Sequence, residues 1–413
     1  MEGRALFDPL VVTSPRSAFE PLGDRNFRLL WTGMLISQTG SWMQFTALGY
    51  LLDQLTKAPV YLGLLGLSQA IPRLLFAFIG GVAADRLDRR RVLLSTNLVL
   101  MGSAALLGVL AHAGRIQVWH ILVIGAFNSF TQSFDVPARQ SMIPTLVGEV
   151  HLMRAVSLSA MALNGSGVFG PSLGGVLIAL TGVAGCFFVN ALSYTAVLMA
   201  LLRMKVPPQA VGGVSFRQDF QEGLSLLGRH RHLLAVLAVI GVLSFFGRPY
   251  IRLMPALARE VLHVGPQGLG VLQSAVALGA ILAVFVVGTI GHVVPRGRVL
   301  LTTATVAGAM VVLVGFSPWF ASSVVLLVLA GINQALAMAS ANTLLQTTVQ
   351  PDQRGRVMGL YSMVNFGMFS LGTLPMGALA GVIGVGPALS LGGAAVIALT
   401  AGLALAMPVL RRL

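Results

Sequence analysis

The chain has 413 residues, of which 56% are hydrophobic and only 10% charged. A soluble domain carries about 25% charged residues, so a chain this long could not cover a water-facing surface with so few, and a soluble enzyme or binding module is excluded. The net charge of +14 does not mark a nucleic-acid binder either, because the charges fall in short clusters between apolar runs instead of gathering on one domain.

Residues 1–24 hold Glu2, Asp8, Glu20 and Asp24 with three prolines and no long apolar core, which reads as a cytoplasmic tail and not as a signal peptide. A helix needs roughly 20 apolar residues to cross a bilayer. Twelve such runs are predicted, at 29–51, 60–80, 92–112, 117–136, 156–180, 184–203, 232–256, 267–289, 298–316, 318–341, 357–381 and 385–409. The expected fold is therefore an all-α polytopic membrane protein. The longest loop, about 204–231, separates six runs from six, giving a first bundle over 25–203 and a second over 232–413. Within that loop Ser215-Phe-Arg-Gln218 has a capping-box pattern, and Phe216, Phe220, Leu224 and Leu227 recur at helical spacing. They predict a short amphipathic helix on the inner membrane surface, although a plain linker accounts for the segment as well.

Arginine and lysine bookkeeping orients the chain. The tail and every second loop hold 21 of the 27 basic residues, against three (Lys57, Arg115 and Arg259) in the alternate loops. Both termini are thereby expected in the cytoplasm. The single cysteine, Cys186, excludes an intrachain disulfide and a cysteine metal site. The scattered histidines suggest no metal, and no cofactor is expected.

The two halves match without gaps at an offset of 207. Arg91-Val-Leu-Leu-Ser95 returns as Arg298-Val-Leu-Leu-Thr302, Gly81 as Gly288, Leu62-Gly63 as Leu269-Gly270, and Asp53 as Glu260. Six helices repeated in parallel about a linker describe a two-bundle transporter with its site between the halves.

Between runs two and three, Gly81-Val-Ala-Ala-Asp85-Arg86-Leu-Asp88-Arg89-Arg90-Arg91 places six charges in seven residues. On these residues the chain resembles the major facilitator superfamily, whose loop between helices 2 and 3 carries Gly-x-x-x-Asp-Arg/Lys-x-Gly-Arg/Lys-Arg/Lys. Asp88 stands where that family usually has glycine. Asp135-Val-Pro-Ala-Arg-Gln140, Gly170-Pro-Ser-Leu-Gly-Gly175, Phe187-Phe-Val-Asn-Ala-Leu-Ser193 and Arg354-Gly-Arg356 are most similar to the branch of enterobactin exporters and macrolide efflux pumps. The resemblance implies a twelve-helix transporter, exporting a siderophore or drug by alternating access and exchanging it for protons. It implies a monomer bathed in lipid in a bacterial-type inner membrane. It also implies gating by Gly81, Asp85, Arg86, Asp88, Arg89 and Arg90, the arginines pairing with Asp88 or acidic lipid. Gly170, Pro171, Gly174 and Gly175 resemble the antiporter motif, where proline and glycines bend a helix at a packed interface. An importer or uniporter of the same fold is the alternative.

Charge within the runs is scarce, and a central arginine costs about 2.5–3.5 kcal/mol on insertion scales. Arg73 follows Pro72 in run two, and Arg248 and Arg252 lie four apart on one face of run seven. They either line a cavity that attracts anionic groups or snorkel toward the nearer surface, the cavity being favoured for Arg248; Gln38, Gln69, Asn128, Gln273, Asn333 and Asn365 are neutral hydrogen-bonding candidates for which interhelix packing is the alternative. Among 13 acids only Asp135 nears a helix interior, so it leads the proton-coupling candidates, with Asp53 and Glu260 at matched repeat positions, although a structural ion pair, with Arg139 nearby, is the favoured reading of Asp135. No nucleophile–base pair or nucleotide loop is visible in the runs, which leaves a membrane enzyme or receptor without a site.

Overall fold

The computed structural model describes residues 19–204, 231–290, 295–350 and 353–408, excluding a few helix side chains, among them those of Asp85 and Glu149. The predicted amphipathic segment around Ser215 lies outside these residues, as does His292, the repeat counterpart of Asp85. Among the described residues the fold is entirely helical. Its helices are α1 (Arg25–Thr56), α2 (Pro59–Arg86), α3 (Arg89–His112), α4 (Val118–Arg203), α5 (Arg231–Val242), α6 (Tyr250–Glu260), α7 (Pro266–Ile290), α8 (Arg296–Phe316), α9 (Phe320–Thr348), α10 (Arg354–Ile383) and α11 (Val385–Ala406).

Local chemistry sets where these helices begin and break. Asp24 caps α1 by accepting from the Phe27 amide at 2.8 Å, and Pro59 opens α2 where its missing N–H costs nothing. Asp88 caps α3, its Oδ1 accepting from the Arg90 and Arg91 amides at 2.9 and 3.2 Å. The 86-residue α4 is three helical stretches, because Gly148 (φ 67°, ψ 176°) and Gly182 (φ 75°, ψ 178°) adopt backbone conformations open essentially to glycine alone. The repeat survives in the helix starts: Pro59 and Pro266, and Arg89 and Arg296, keep the offset of 207.

Among the described residues nine candidate spans are long and apolar enough to cross a membrane, with Val150–Arg203 counted as one. The twelve sequence runs fall in helix apart from a few end residues and the break at Arg248; α1 and the start of α4 are too polar for that count. Large apolar side chains such as Leu75, Val284, Phe285 and Phe316 stand on the outer surface, as lipid contact requires.

The core is divided. One buried cluster, including Leu233, Val236, Ile240, Leu300, Leu345 and Val357, stays within the second half, and another (Leu30, Leu93, Met142, Leu201) stays within the first. A third joins them: Leu52, Leu62 and Leu65 pack with Tyr250, Leu257, Leu269 and Leu272. That shared cluster lies where α1 ends and α2 and α7 begin. The halves are thus sealed together at one end, while the buried clusters toward the other end remain separate.

Candidate functional site

The seventh apolar run is broken at the position that matters. Pro249 cannot donate to the carbonyl four residues back, and a π-helical turn, Leu243–Gly247, separates α5 from α6. The Phe245 carbonyl is packed by Gly372 of α10, where a Cβ would overlap its oxygen. The break brings Arg248 to α10: its Nη1 donates to Asn365 Oδ1 at 2.7 Å, and its guanidinium lies 4.9 Å from the centre of the Phe369 ring. Ser244 shares the same Asn365 oxygen at 3.0 Å.

Arg252, one turn on, donates to Gln69 of α2 and lies 4.7 Å from the centre of the Phe45 ring. Arg73, on the Gln69 face of α2, donates to Gln132 at 3.3 Å and stands 5.6 Å from the centre of the Phe366 ring. Each arginine therefore has one amide oxygen and one aromatic face. All three are half-buried. Arg73 and Arg252 are near enough to act on each other electrostatically. No described carboxylate forms an ion pair with any of the three. The Nε atoms of Arg248 and Arg252 are buried without a hydrogen-bond partner among the described residues. The site is cationic, aromatic and drawn from both halves.

The other sequence candidates divide. Gln273 accepts from Thr46 across the halves and, with Phe45 and Leu65, lines a small cleft beside Arg252. Gln38 is half-buried on α1. Asn128 instead accepts from Ser103 at 2.6 Å inside the first half, and Asn333 donates to the Leu329 carbonyl of its own helix at 2.9 Å. A groove of about 500 Å³ lies on the flank of the second half, between Arg298, Thr302 and Thr305 of α8 and Thr400 and Ala404 of α11, apart from the arginines.

Asp135 is held inside the first half, accepting from Thr96 at 3.0 Å and Asn97 at 2.9 Å, with Arg139 at 3.4 Å. Asp135→Ala strands two buried donors and an arginine, and should cost about 3 kcal/mol of stability. Its melting temperature should fall while the folded fraction still transports; lost transport at an unchanged melting temperature would contradict this structural role.

At the sealed end the halves meet through charge and bare backbone. Asp53, only 1% exposed, takes Arg259 in two parallel bonds of 2.7 and 3.0 Å, and Glu260 accepts from the same guanidinium at 2.9 Å. The antiporter-like segment of α4 packs here too. A Cβ on Gly175 would overlap the Pro266 carbonyl, and one on Gly270 the carbonyl of Pro171. Ser172 bonds Ser274 at 2.8 Å beside them, while Gly170 and Gly174 admit Trp42 and Met43 of α1. Asp53→Asn should favour the form open at this end by about thirtyfold or more, the lower range for truncating a hydrogen-bonded charge pair. The measurement is maleimide reactivity of a cysteine introduced at Thr46; unchanged reactivity would show that the pair contributes nothing to closure.

In the loop cluster the hydrogen bonds of Arg89 and Arg90 reach α4. Arg89 donates to the Ser141 carbonyl at 2.8 Å and to Thr145 at 3.2 Å, and Arg90 to the Leu201 and Leu202 carbonyls at 2.7 and 3.0 Å. Asp88 caps α3 and, among the described residues, pairs only with Arg91, at 3.7 Å, because the arginines at the helix start point toward carbonyls of α4. Aspartate in place of the usual glycine is explained by that cap. Arg86 is exposed, and a Cβ on Gly81 would meet open space.

Residues 16–412 match the family model described as transmembrane secretion effector. The enterobactin exporter EntS of Salmonella paratyphi A is 30% identical over 313 residues, 73% of this chain and 72% of that protein. Macrolide efflux protein A of Streptococcus pyogenes is 22% identical over 367 residues, 87% of this chain and 90% of its own. Among solved structures, the nucleoside transporter NupG superposes with a TM-score of 0.76 at 12% identity, covering 93% of this chain and 99% of that one. With a divided helical core, two repeated halves and a match along nearly its whole length, the chain belongs to the transmembrane secretion effector family of major facilitator transporters, a multi-pass membrane protein.

Proposed function

We propose that this protein exports an amphipathic anionic small molecule, of the siderophore or drug class, across a bacterial inner membrane by alternating access. In this reading it acts as a monomer with twelve crossings and both termini in the cytoplasm. The observation that carries it is the trio Arg73, Arg248 and Arg252, set between the halves without a carboxylate partner among the described residues. Three intramembrane charges are costly to insert, and an anionic substrate is the simplest compensation. The Phe45, Phe366 and Phe369 faces beside them suit a substrate with flat apolar parts.

The arginine bias supports the direction of access. With the Asp53–Arg259 end taken as the outer one, the end where the buried clusters stay separate would face the cytoplasm, where an exporter loads. The relatives named for efflux support export. For proton exchange, which the resemblance implies, the candidates are Asp53, Asp135 and Glu260, each of which pairs with an arginine in this arrangement. A thermal-shift screen of siderophores and antibiotics as matched acid and neutral-ester pairs tests the reading. A bound acid at a hundred times its Kd should add about 2.7 kcal/mol of stability. Esters that stabilise as well as their acids would contradict it.

A further inference from the structure

We propose that the groove between α8 and α11 is a binding site for one anionic phospholipid, with the phosphate at Arg298 and one acyl chain laid along the helices. The site is separate from the arginine trio and does not depend on what the protein carries.

The groove exists because the two halves, otherwise repeats, differ there. A spacing of 207 relates α3 to α8, and a spacing of 202 relates the last stretch of α4 to α11. Gly182 and Gly384, both at positive φ, open those two last helices, and Phe188 lies against Gly108 as Ser390 lies against Gly315. On that alignment Leu98 of the first half becomes Thr305, while Leu198, Met199 and Leu202 become Thr400, Ala401 and Ala404. Large side chains are thus cut short along one line. Arg90, which ties α3 to α4 by donating to the Leu201 and Leu202 carbonyls, becomes Gly297. The second half is left with an open groove, and with glycine where the first half makes its tie.

The lining sets what fits. Thr302 and Thr305 donate to the Arg298 and Leu301 carbonyls of their own helix, both at 2.8 Å, so their methyl groups join Leu301, Val306, Ala401 and Ala404 in an apolar wall. At roughly 30 Å³ per methylene, close to one water's share of the liquid, the 500 Å³ of the groove takes a single chain of about sixteen carbons. Polar groups stand at one end only. Arg298 is exposed at the mouth, with Arg296 exposed beside it. Thr400 is 1% exposed, and its Oγ1 has no hydrogen-bond partner among the described residues. Gly308 packs against Gly393 and Gly315 against Gly386, a register that sets Thr400 level with Leu301, one turn or about 5 Å inward of Arg298. A buried hydroxyl without an acceptor is costly. The first ester carbonyl below a lipid phosphate is an acceptor at that depth.

Other occupants fit less well. The helices α8 and α11 pack against helices of the second half, so the groove opens to the surrounding membrane and not to the space where the substrate arginines stand. A second copy placed about a two-fold axis would set Arg296 and Arg298 against their own images, and like charges repel. On the orientation proposed above the mouth lies at the cytoplasmic leaflet, whose anionic lipids attract basic groups. The bound lipid then bridges α8, through Arg298, to α11, through Thr400, as Arg90 bridges the first half.

The test is native mass spectrometry of the full chain in detergent, titrated with palmitoyl-oleoyl phosphatidylglycerol or with the phosphatidylcholine of the same chains. Expected is one phosphatidylglycerol held about fivefold more tightly than phosphatidylcholine, the worth of one arginine near a membrane surface. Arg298→Gln should bring the two lipids level. Ala401→Met/Ala404→Leu, which restores the first-half side chains, should remove the bound lipid while the protein melts no lower; if that variant does not fold, Arg298→Gln decides alone. Equal retention of the two lipids by the parent overturns the proposal, as does a lipid held as tightly by the filled variant. A parent that is dimeric, and turns monomeric when the groove is filled, overturns it in favour of a second copy. None of these readouts involves transport, so a failure here is distinct from a failure of the anionic cargo.

Discussion

Replacing Arg248 and Arg252 together by glutamine should weaken binding of a dianionic substrate by about a hundredfold or more. Each guanidinium sits against a single amide oxygen and one ring, with a buried Nε still unpartnered among the described residues, so most of its donor capacity is unspent. A hydrogen bond to a charged group is worth about 1.5–3 kcal/mol, roughly ten- to a hundredfold each. Glutamine keeps a donor and much of the stem, and the swap removes a charge that repels Arg73. The doubly substituted protein should therefore melt no lower than the parent. Titration with a dianion, a monoanion and a neutral analogue separates the roles: the loss should grow with ligand charge. Equal losses for all three would make the arginines structural.

Gly175→Leu or Gly270→Leu should abolish turnover, by about a hundredfold, while the chain still folds and inserts. In the state described, Gly175 lies against the Pro266 carbonyl and Gly270 against that of Pro171, backbone against backbone from opposite halves. Neither can yield as a flexible side chain would. Overpacking costs about 1–3 kcal/mol, and here the cost falls only on the form in which this end is closed. Each variant should accumulate with the Asp53–Arg259 end open, giving high external maleimide reactivity of a cysteine at Thr46; the native Cys186 is buried and does not interfere. Normal turnover would show that the two helices need not approach so closely.

How much of this could be read beforehand varies with the physics. The fold was legible because hydropathy and the 207-residue repeat are long-range patterns, and the repeat reappears at Pro59 and Pro266 and at Arg89 and Arg296. The broken seventh helix was half legible. Pro249 announces a lost hydrogen bond, but the π-turn before it depends on Gly372 of a distant helix packing against the Phe245 carbonyl. The arginines were legible because charge is rare in lipid. Their aromatic partners were not, since Phe45, Phe366 and Phe369 look like any lipid-facing residue until the opposite helix is in place. Asn365 with Phe366 and Phe369 on one face was the one signal available in advance.

Arg259 is the instructive miss. By position it counts as an outer-loop charge, yet it holds Asp53 from the other half in two parallel bonds. Only the fold brings together residues 206 positions apart. Asp88 was read as a departure from a motif, but its capping of α3 is a local interaction that the sequence pattern already contained.

The central claim is that the site between the halves selects and carries an anion outward. Inside-out membrane vesicles, whose interior corresponds to the cell exterior, test it most directly. A carboxylate-bearing amphipath and its methyl ester, radiolabelled and matched in size, would be followed for uptake under an interior-positive potential. The account predicts saturable uptake of the carboxylate that is lost in the Arg248→Gln/Arg252→Gln protein, with the ester at the level of protein-free vesicles. Saturable ester uptake equal to that of the carboxylate, unaffected by the two substitutions, would contradict it.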